Sequence, residues 1–244
     1  FNSKSWEFDL TAKRIIAWLS CHNLSFDGGS IHYKNKFNIM IKKQTNHLIN
    51  EIKRSDNYHD KLIGCSAIIL TGISYNDEKY LDFGLELLKK IITSCFDTEY
   101  FPKSRNIRQL VLYLKYFIIL REFLKESSNE IPGYLDEIIF HLGKGYNFVW
   151  GSVKQSLLFN GNHNSNLEDF DDYLDYQKYS FKSEKRDLGG YGILKNKNVI
   201  LGMDIGTAPE SKFSENYQSG TLSFEAIYRG TKIICNSGYY QNIK

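Results

Sequence analysis

The sequence predicts an α-then-β protein, helical hairpins first and an antiparallel sheet after them. Three observations carry this reading. Apolar residues recur at three- and four-residue spacing from Leu10 to about Phe148. Polar or glycine-bearing breaks cut that run into helix-sized segments. Beyond Asp187 the apolar residues become β-branched or aromatic and begin to alternate.

The helical stripes are read in order. Leu10, Ile15, Trp18 and Leu19 share one face, as do Phe37, Met40, Ile41 and Leu48, then Leu62, Cys65, Ile68 and Ile69, then Leu85, Leu88, Ile91 and Ile92. Two more helices are expected over 107–124 and 134–148. Asp27-Gly28-Gly29, Ser55-Asp56-Asn57, Gly72-Ile73-Ser74 and Glu126-Ser127-Ser128 separate them. No fixed repeat appears, so the expectation is an irregular helical array. Strands are expected at 190–194, 198–204, 221–228 and 231–235. Short turns at Asn196-Lys197 and Arg229-Gly230 make these an antiparallel meander. A four-stranded meander with an apolar face needs cover, from the helical half or from further sheet beyond Lys244.

Composition narrows the function classes. The 244 residues include 31 basic and 28 acidic side chains, a formal charge of +3, too even a balance to mark a nucleic-acid partner. The longest apolar stretch, 110–124, is interrupted by Lys115, Arg121 and Glu122, so no membrane span is expected. The amino end has neither an initiator Met nor a leader pattern, and the chain reads as a mature or cropped piece. Cys21, Cys65, Cys95 and Cys235 form no close pair and are expected to be small buried residues.

Two stretches carry candidate chemistry. Asn160-Gly161-Asn162-His163-Asn164-Ser165-Asn166 precedes Glu168, Asp169, Asp171, Asp172 and Asp175, and reads as a polar loop leading into an acidic helix. Asn-rich loops are ordinarily turns. The functional reading is an active-site wall with His163 titrating near neutral pH. The acidic spacing matches no calcium loop, and a solvated helix face explains it better. The second stretch is Tyr100-Phe101-Pro102-Lys103-Ser104-Arg105-Asn106. Arg105 and Asn106 can clamp a carboxylate, the Arg by a charge-assisted fork. Equally, Ser104 or Asn106 can cap the helix that follows, and on spacing alone the cap is the better reading. His22, His32, His47, His59 and His141 show no metal spacing. Gly189-Gly190-Tyr191-Gly192 precedes a strand and is not a phosphate loop.

Gly189-Gly190-Tyr191-Gly192, Val199-Ile200-Leu201-Gly202-Met203-Asp204, Ser219-Gly220-Thr221-Leu222-Ser223-Phe224-Glu225 and Asn236-Ser237-Gly238 resemble, in order and spacing, the start of the sheet domain of heparinase II/III-like proteins. Arg14-Ile15-Ile16-Ala17-Trp18-Leu19, Ser104-Arg105-Asn106 with Gln109, and Leu157-Leu158-Phe159-Asn160-Gly161 resemble the helical half of a bacterial branch of that family. The resemblance implies an incomplete α/α toroid of helical hairpins over 1–186, followed over 187–244 by the start of an antiparallel β-sandwich-like domain, truncated, with a groove between them. It implies a polysaccharide lyase that cleaves uronate-containing glycans by β-elimination. The alternative is a homologue of the same fold that binds glycan without cutting it, its Tyr and Trp faces stacking on sugar rings.

The residues that the resemblance places at the groove are His163 and Tyr100 as proton-handling groups, with Arg105, Asn106, Asn160, Asn162 and Gln218 holding substrate. Family lyases carry a His-x-His-x-Asp-like sequence before Thr221. Here Asn216, Gln218 and Gly220 stand in those places, and Asn236 stands where a metal-binding Asp is expected. No zinc is therefore expected, nor any other cofactor. The partner is an acidic polysaccharide or oligosaccharide. The resemblance suggests the periplasm, with the cytoplasm as the other compartment, and leaves the oligomeric state open.

Overall fold

The computed structural model describes residues 3–54, 58, 61–151, 153–164, 166–215, 217–218 and 220–238. The break at Ser55-Asp56-Asn57, Ser165 in the Asn-rich loop and Asn216 lie outside them. The helices are α1 (Phe8–Ser20), α2 (Ile31–Lys53), α3 (Leu62–Tyr75), α4 (Glu78–Cys95), α5 (Ile107–Glu126), α6 (Gly133–Tyr146) and α7 (Glu168–Tyr176). Five strands follow: β1 (Asp187–Leu188), β2 (Tyr191–Lys195), β3 (Val199–Asp204), β4 (Phe224–Tyr228) and β5 (Thr231–Ile234). They form one antiparallel sheet in chain order. No described helix is long and apolar enough to cross a membrane.

The chain divides into two compact units, Phe1–Ser94 with Tyr116–Leu135, and Cys95–Lys115 with Asp136–Lys244. In the first, α1 packs on α2 and α3. Every residue of α3 from Leu62 to Gly72 is buried, as its nearly all-round apolar sequence requires. Gly72 lets α4 approach closely, because a Cβ there would lie 2.6 Å from the Leu81 backbone nitrogen. Helix α3 ends at Asn76 in a left-handed cap, φ 49°.

In the second unit the sheet buries one face. Tyr191 opposes Asp204, Ile193 opposes Gly202, and Gly202 opposes Glu225. Phe159 stacks on Tyr191 at 5.7 Å and Phe101 meets it edge-on at 5.9 Å. The opposite face carries Leu194, Phe224, Tyr228 and Ile234, all exposed. The meander thus has five strands where four are expected, because β1 is only two residues long and too short for an alternation signal. The third expected strand starts at Phe224 and not at 221. There the chain turns, with Leu222 at φ 65° and the Ser223 N–H donating to the Gly220 carbonyl at 2.7 Å. The Arg229-Gly230 turn forms as expected, both residues left-handed (φ 48° and 81°), the geometry whose twist suits a two-residue hairpin. Of the four cysteines expected to be buried, Cys21 and Cys235 are exposed, because each sits just past the end of its element.

Candidate functional site

Asp97 shapes the turn that presents Tyr100. Its Oδ1 accepts the Glu99 and Phe101 N–H groups, each at 2.8 Å, and Phe96 pairs with Pro102 across the turn. Tyr100 is left at φ 60°, left-handed backbone that a residue with a Cβ rarely adopts and that gathers at functional sites. Its hydroxyl donates to Glu137 Oε1 at 2.6 Å, and its ring stacks on His141 with centroids 4.3 Å apart and planes 12° from parallel. Glu137 and His141 lie one turn apart on α6, the i and i+4 positions that share a helix face.

The protonation states of the pair diverge. The Glu137 hydrogen bond, with lesser help from burial and the carboxylate charge, raises the Tyr100 pKa above the ordinary phenol value. The His141 pKa is lowered, first by burial and then by the Lys144 and Lys185 charges, against the pull of Glu137. At neutral pH the phenol keeps its proton and the imidazole stays neutral. Lys185 itself contacts Glu99 Oε1 at 2.5 Å.

Arg105 occupies a different setting. It is 8% exposed and left-handed, φ 55°. Its guanidinium donates to the Gly189, Gly190 and Thr207 carbonyls at 3.2, 2.9 and 2.6 Å and pairs with Asp204, which is wholly buried. Gly190, at φ 79°, must lack a Cβ because one would stand 2.7 Å from Arg105 Nε. Asn106 is the cap of α5, its Oδ1 accepting the Arg108 and Gln109 N–H groups at 2.9 and 3.3 Å. Asn160, φ 49°, donates to the Ser104 carbonyl at 2.8 Å, while the buried Asn162 amide donates to the Leu157 carbonyl at 2.6 Å. The Tyr191 hydroxyl donates to the Arg105 carbonyl.

The structure therefore brings Arg105, Asn106 and Asn160 together as a buried polar hub under the sheet. Tyr100 stands apart from them with Glu137 and His141. His163 is exposed on the 160–166 loop, its pKa lowered by partial burial and then by Arg108. Gln218 is partly exposed on the segment before β4. Sequence reasoning missed Glu137 and His141. The signal available was their i, i+4 spacing on a helix; nothing in the sequence reveals that the Asp97 turn delivers Tyr100 onto that face.

Comparison with known proteins bears on these residues. Residues 181–244 match the family model described as heparinase II/III-like, C-terminal. No curated protein matches the chain. Among solved structures the chain is similar to a heparinase III, at TM-score 0.78 and 13% identity over 98% of this chain and 44% of that one. It is also similar to the heparan sulfate lyase HepC from Pedobacter heparinus, at TM-score 0.71 and 12% identity over 98% and 42%. Likeness at this identity speaks to fold. The chain spans less than half the length of these structures.

The zinc position implied by the family resemblance does not fit a metal here. Gln218, Gly220 and Asn236 supply no carboxylate or imidazole, and Asn216 lies outside the described residues. Asn236 Nδ2 is a buried donor lacking an acceptor, the wrong polarity to face a cation. No three His, Cys, Asp or Glu side chains converge among the described residues. The last 64 residues thus match the heparinase II/III-like C-terminal model, and the fold of the chain is similar to that of heparinase III structures.

Proposed function

We propose that this protein is a polysaccharide lyase that cleaves uronate-containing chains by β-elimination. The observation that carries the reading is the Tyr100 phenol held by Glu137 and stacked on a neutral His141. Elimination removes the proton beside the uronate carboxylate, forms a carbon–carbon double bond from that electron pair, and expels the glycosidic oxygen from the neighbouring carbon. A neutral imidazole accepts the first proton, and a phenol with raised pKa donates to the departing oxygen. Lys144, whose charge reaches His141, is the candidate to supply positive charge where the carboxylate develops enolate character, Lys185 being paired with Glu99. His163, exposed and also kept neutral, is the second candidate for the accepting group, and the partly exposed Gln218 is the candidate substrate contact, whereas Asn160 and Asn162 are buried and bonded to backbone carbonyls. In this reading residues 1–186 are the toroid-like helical part and 187–244 the start of the sandwich-like sheet. An acidic glycan is the partner and the periplasm its place of action.

One observation favours a second reading, a homologue that grips glycan without cutting it. The Arg105 fork is committed to Asp204 and three carbonyls, so it is not free to neutralise a uronate. Incubation with a panel of uronate polysaccharides, followed by the absorbance of unsaturated product, separates the two. New absorbance that falls at least about a hundredfold in Tyr100→Phe supports the lyase, within the usual range for general acid–base groups. Binding without new absorbance supports the binder. Between the histidines, the accepting group is the one whose Ala variant abolishes the signal.

A further inference from the structure

A cleft of about 170 Å³ lies among the carboxyl end of α6, the π-turn Asn147–Gly151, α7 and the chain after it. That volume is enough to seat a small ring. Its residues belong to the second compact unit and include neither Tyr100 nor the Arg105 hub.

One wall is fixed. Asp171 accepts from the Tyr146 hydroxyl at 2.7 Å, Trp150 Nε1 at 2.9 Å and Lys154 Nζ at 2.8 Å. Burial alone would raise its pKa, but these donors outweigh it and hold the carboxyl below its ordinary value. Lys154 reaches it from left-handed backbone, φ 55°, a conformation retained only where surroundings impose it.

One polar group of the lining stands open to a ligand. Asp175, one helical turn beyond Asp171, is exposed, and its carboxylate takes no hydrogen bond from a described residue. Asn147 Oδ1 is taken by the Ser183 N–H at 3.1 Å, and its Nδ2 lies over Gly151, where a Cβ would come within 2.5 Å of it. The other wall is aromatic. Tyr179 and Phe181 lie nearly parallel, 25° apart at 5.9 Å, and Phe181 is seated on Gly143, where a Cβ would come within 2.1 Å of the ring.

We infer that this cleft binds one uncharged pyranose unit. An aromatic wall suits the C–H face of a sugar ring, and a lone carboxylate suits a pair of adjacent hydroxyl donors. Two carboxylates face one ammonium that is already paired, so hydroxyl donors are accepted and a uronate is repelled. The site is independent of the chemistry proposed at Tyr100.

Trp150, bonded to the cleft wall, is the reporter; Trp6 and Trp18 lie in the other unit. The protein is titrated with methyl glucopyranoside, galactopyranoside and mannopyranoside, and with glucuronate, following tryptophan emission and ligand-observed NMR. The expected result is saturable millimolar binding of at least one neutral glycoside, weakened at least about tenfold in Asp175→Ala and in Tyr179→Ala with unchanged circular dichroism, and untouched in Tyr100→Phe. Absence of saturation by every neutral glycoside, equal binding of glucuronate, or full binding in both cleft variants overturns it.

Discussion

Arg105 and Tyr100 are five residues apart and both left-handed, yet the chain uses them in opposite ways. The Arg105 guanidinium is buried to neutralise Asp204, so removing it strands a carboxylate in the interior. Arg105→Ala is expected to lower stability by about 3–5 kcal/mol, read from urea or thermal unfolding. Arg105→Lys should recover little of this, since an ammonium cannot span Asp204 and three carbonyls at once. Tyr100 is bonded only at its rim, so Tyr100→Phe should leave the melting temperature almost unchanged while altering activity. The sign of the pH response follows from His141. Its folded pKa lies below the unfolded value, so the unfolded state binds more protons as pH falls below the ordinary histidine value, near 6.5. Stability and activity should therefore both decline through that acid window and be full above it. A pH–rate profile checks the activity and unfolding at several pH values the stability, and His141→Gln, which carries no titrating imidazole, should flatten the acid decline in stability.

At the scale of elements, the buried Glu225–Lys232 pair ties four pieces of backbone together. Lys232 Nζ donates to Glu225 Oε2 at 2.8 Å and to the Ser156 carbonyl at 2.5 Å, while Glu225 Oε1 accepts the Leu158 and Asn236 N–H groups at 3.2 and 3.0 Å. Strands β4 and β5, the 156–158 segment and the turn at Asn236 are thus pinned by one ion pair whose carboxylate is wholly buried. Lys232→Met should cost about 3–5 kcal/mol, and the Lys232→Met, Glu225→Gln double variant clearly less, because the stranded charge is then gone. This same region shows what the sequence can reveal. The alternation of Ile193, Gly202 and Ile227 against exposed Leu194 and Tyr228 is readable as a sheet with a set register. So is the Asn106 cap, since a short amide before an apolar helix has a local cause. Lys232 and Arg105 look like surface or substrate-binding charges, because the residues that bury them lie 7 and 99 positions away, at Glu225 and Asp204. Local pattern reports a face, not a distant partner.

Across the whole molecule, the switch from helix to strand begins at Asp187, where the change of apolar spacing places it. The grouping into compact units does not follow that switch, since residues 95–115 and 136–186 belong with the sheet. Helix α5 is one continuous stripe in sequence, so periodicity carries no mark of a division between Lys115 and Tyr116. The likeness to heparinase III structures covers both units at 12–13% identity, a level at which the fold persists while site residues are free to change. The account stands on elimination proceeding without zinc, through Tyr100 and a neutral imidazole. Mass analysis of the fragments formed from a uronate polysaccharide in ¹⁸O-labelled water tests it directly. Elimination predicts unsaturated fragments carrying no ¹⁸O at the cleaved bond. Fragments that take up the label, or a polymer left intact at every pH, would contradict it.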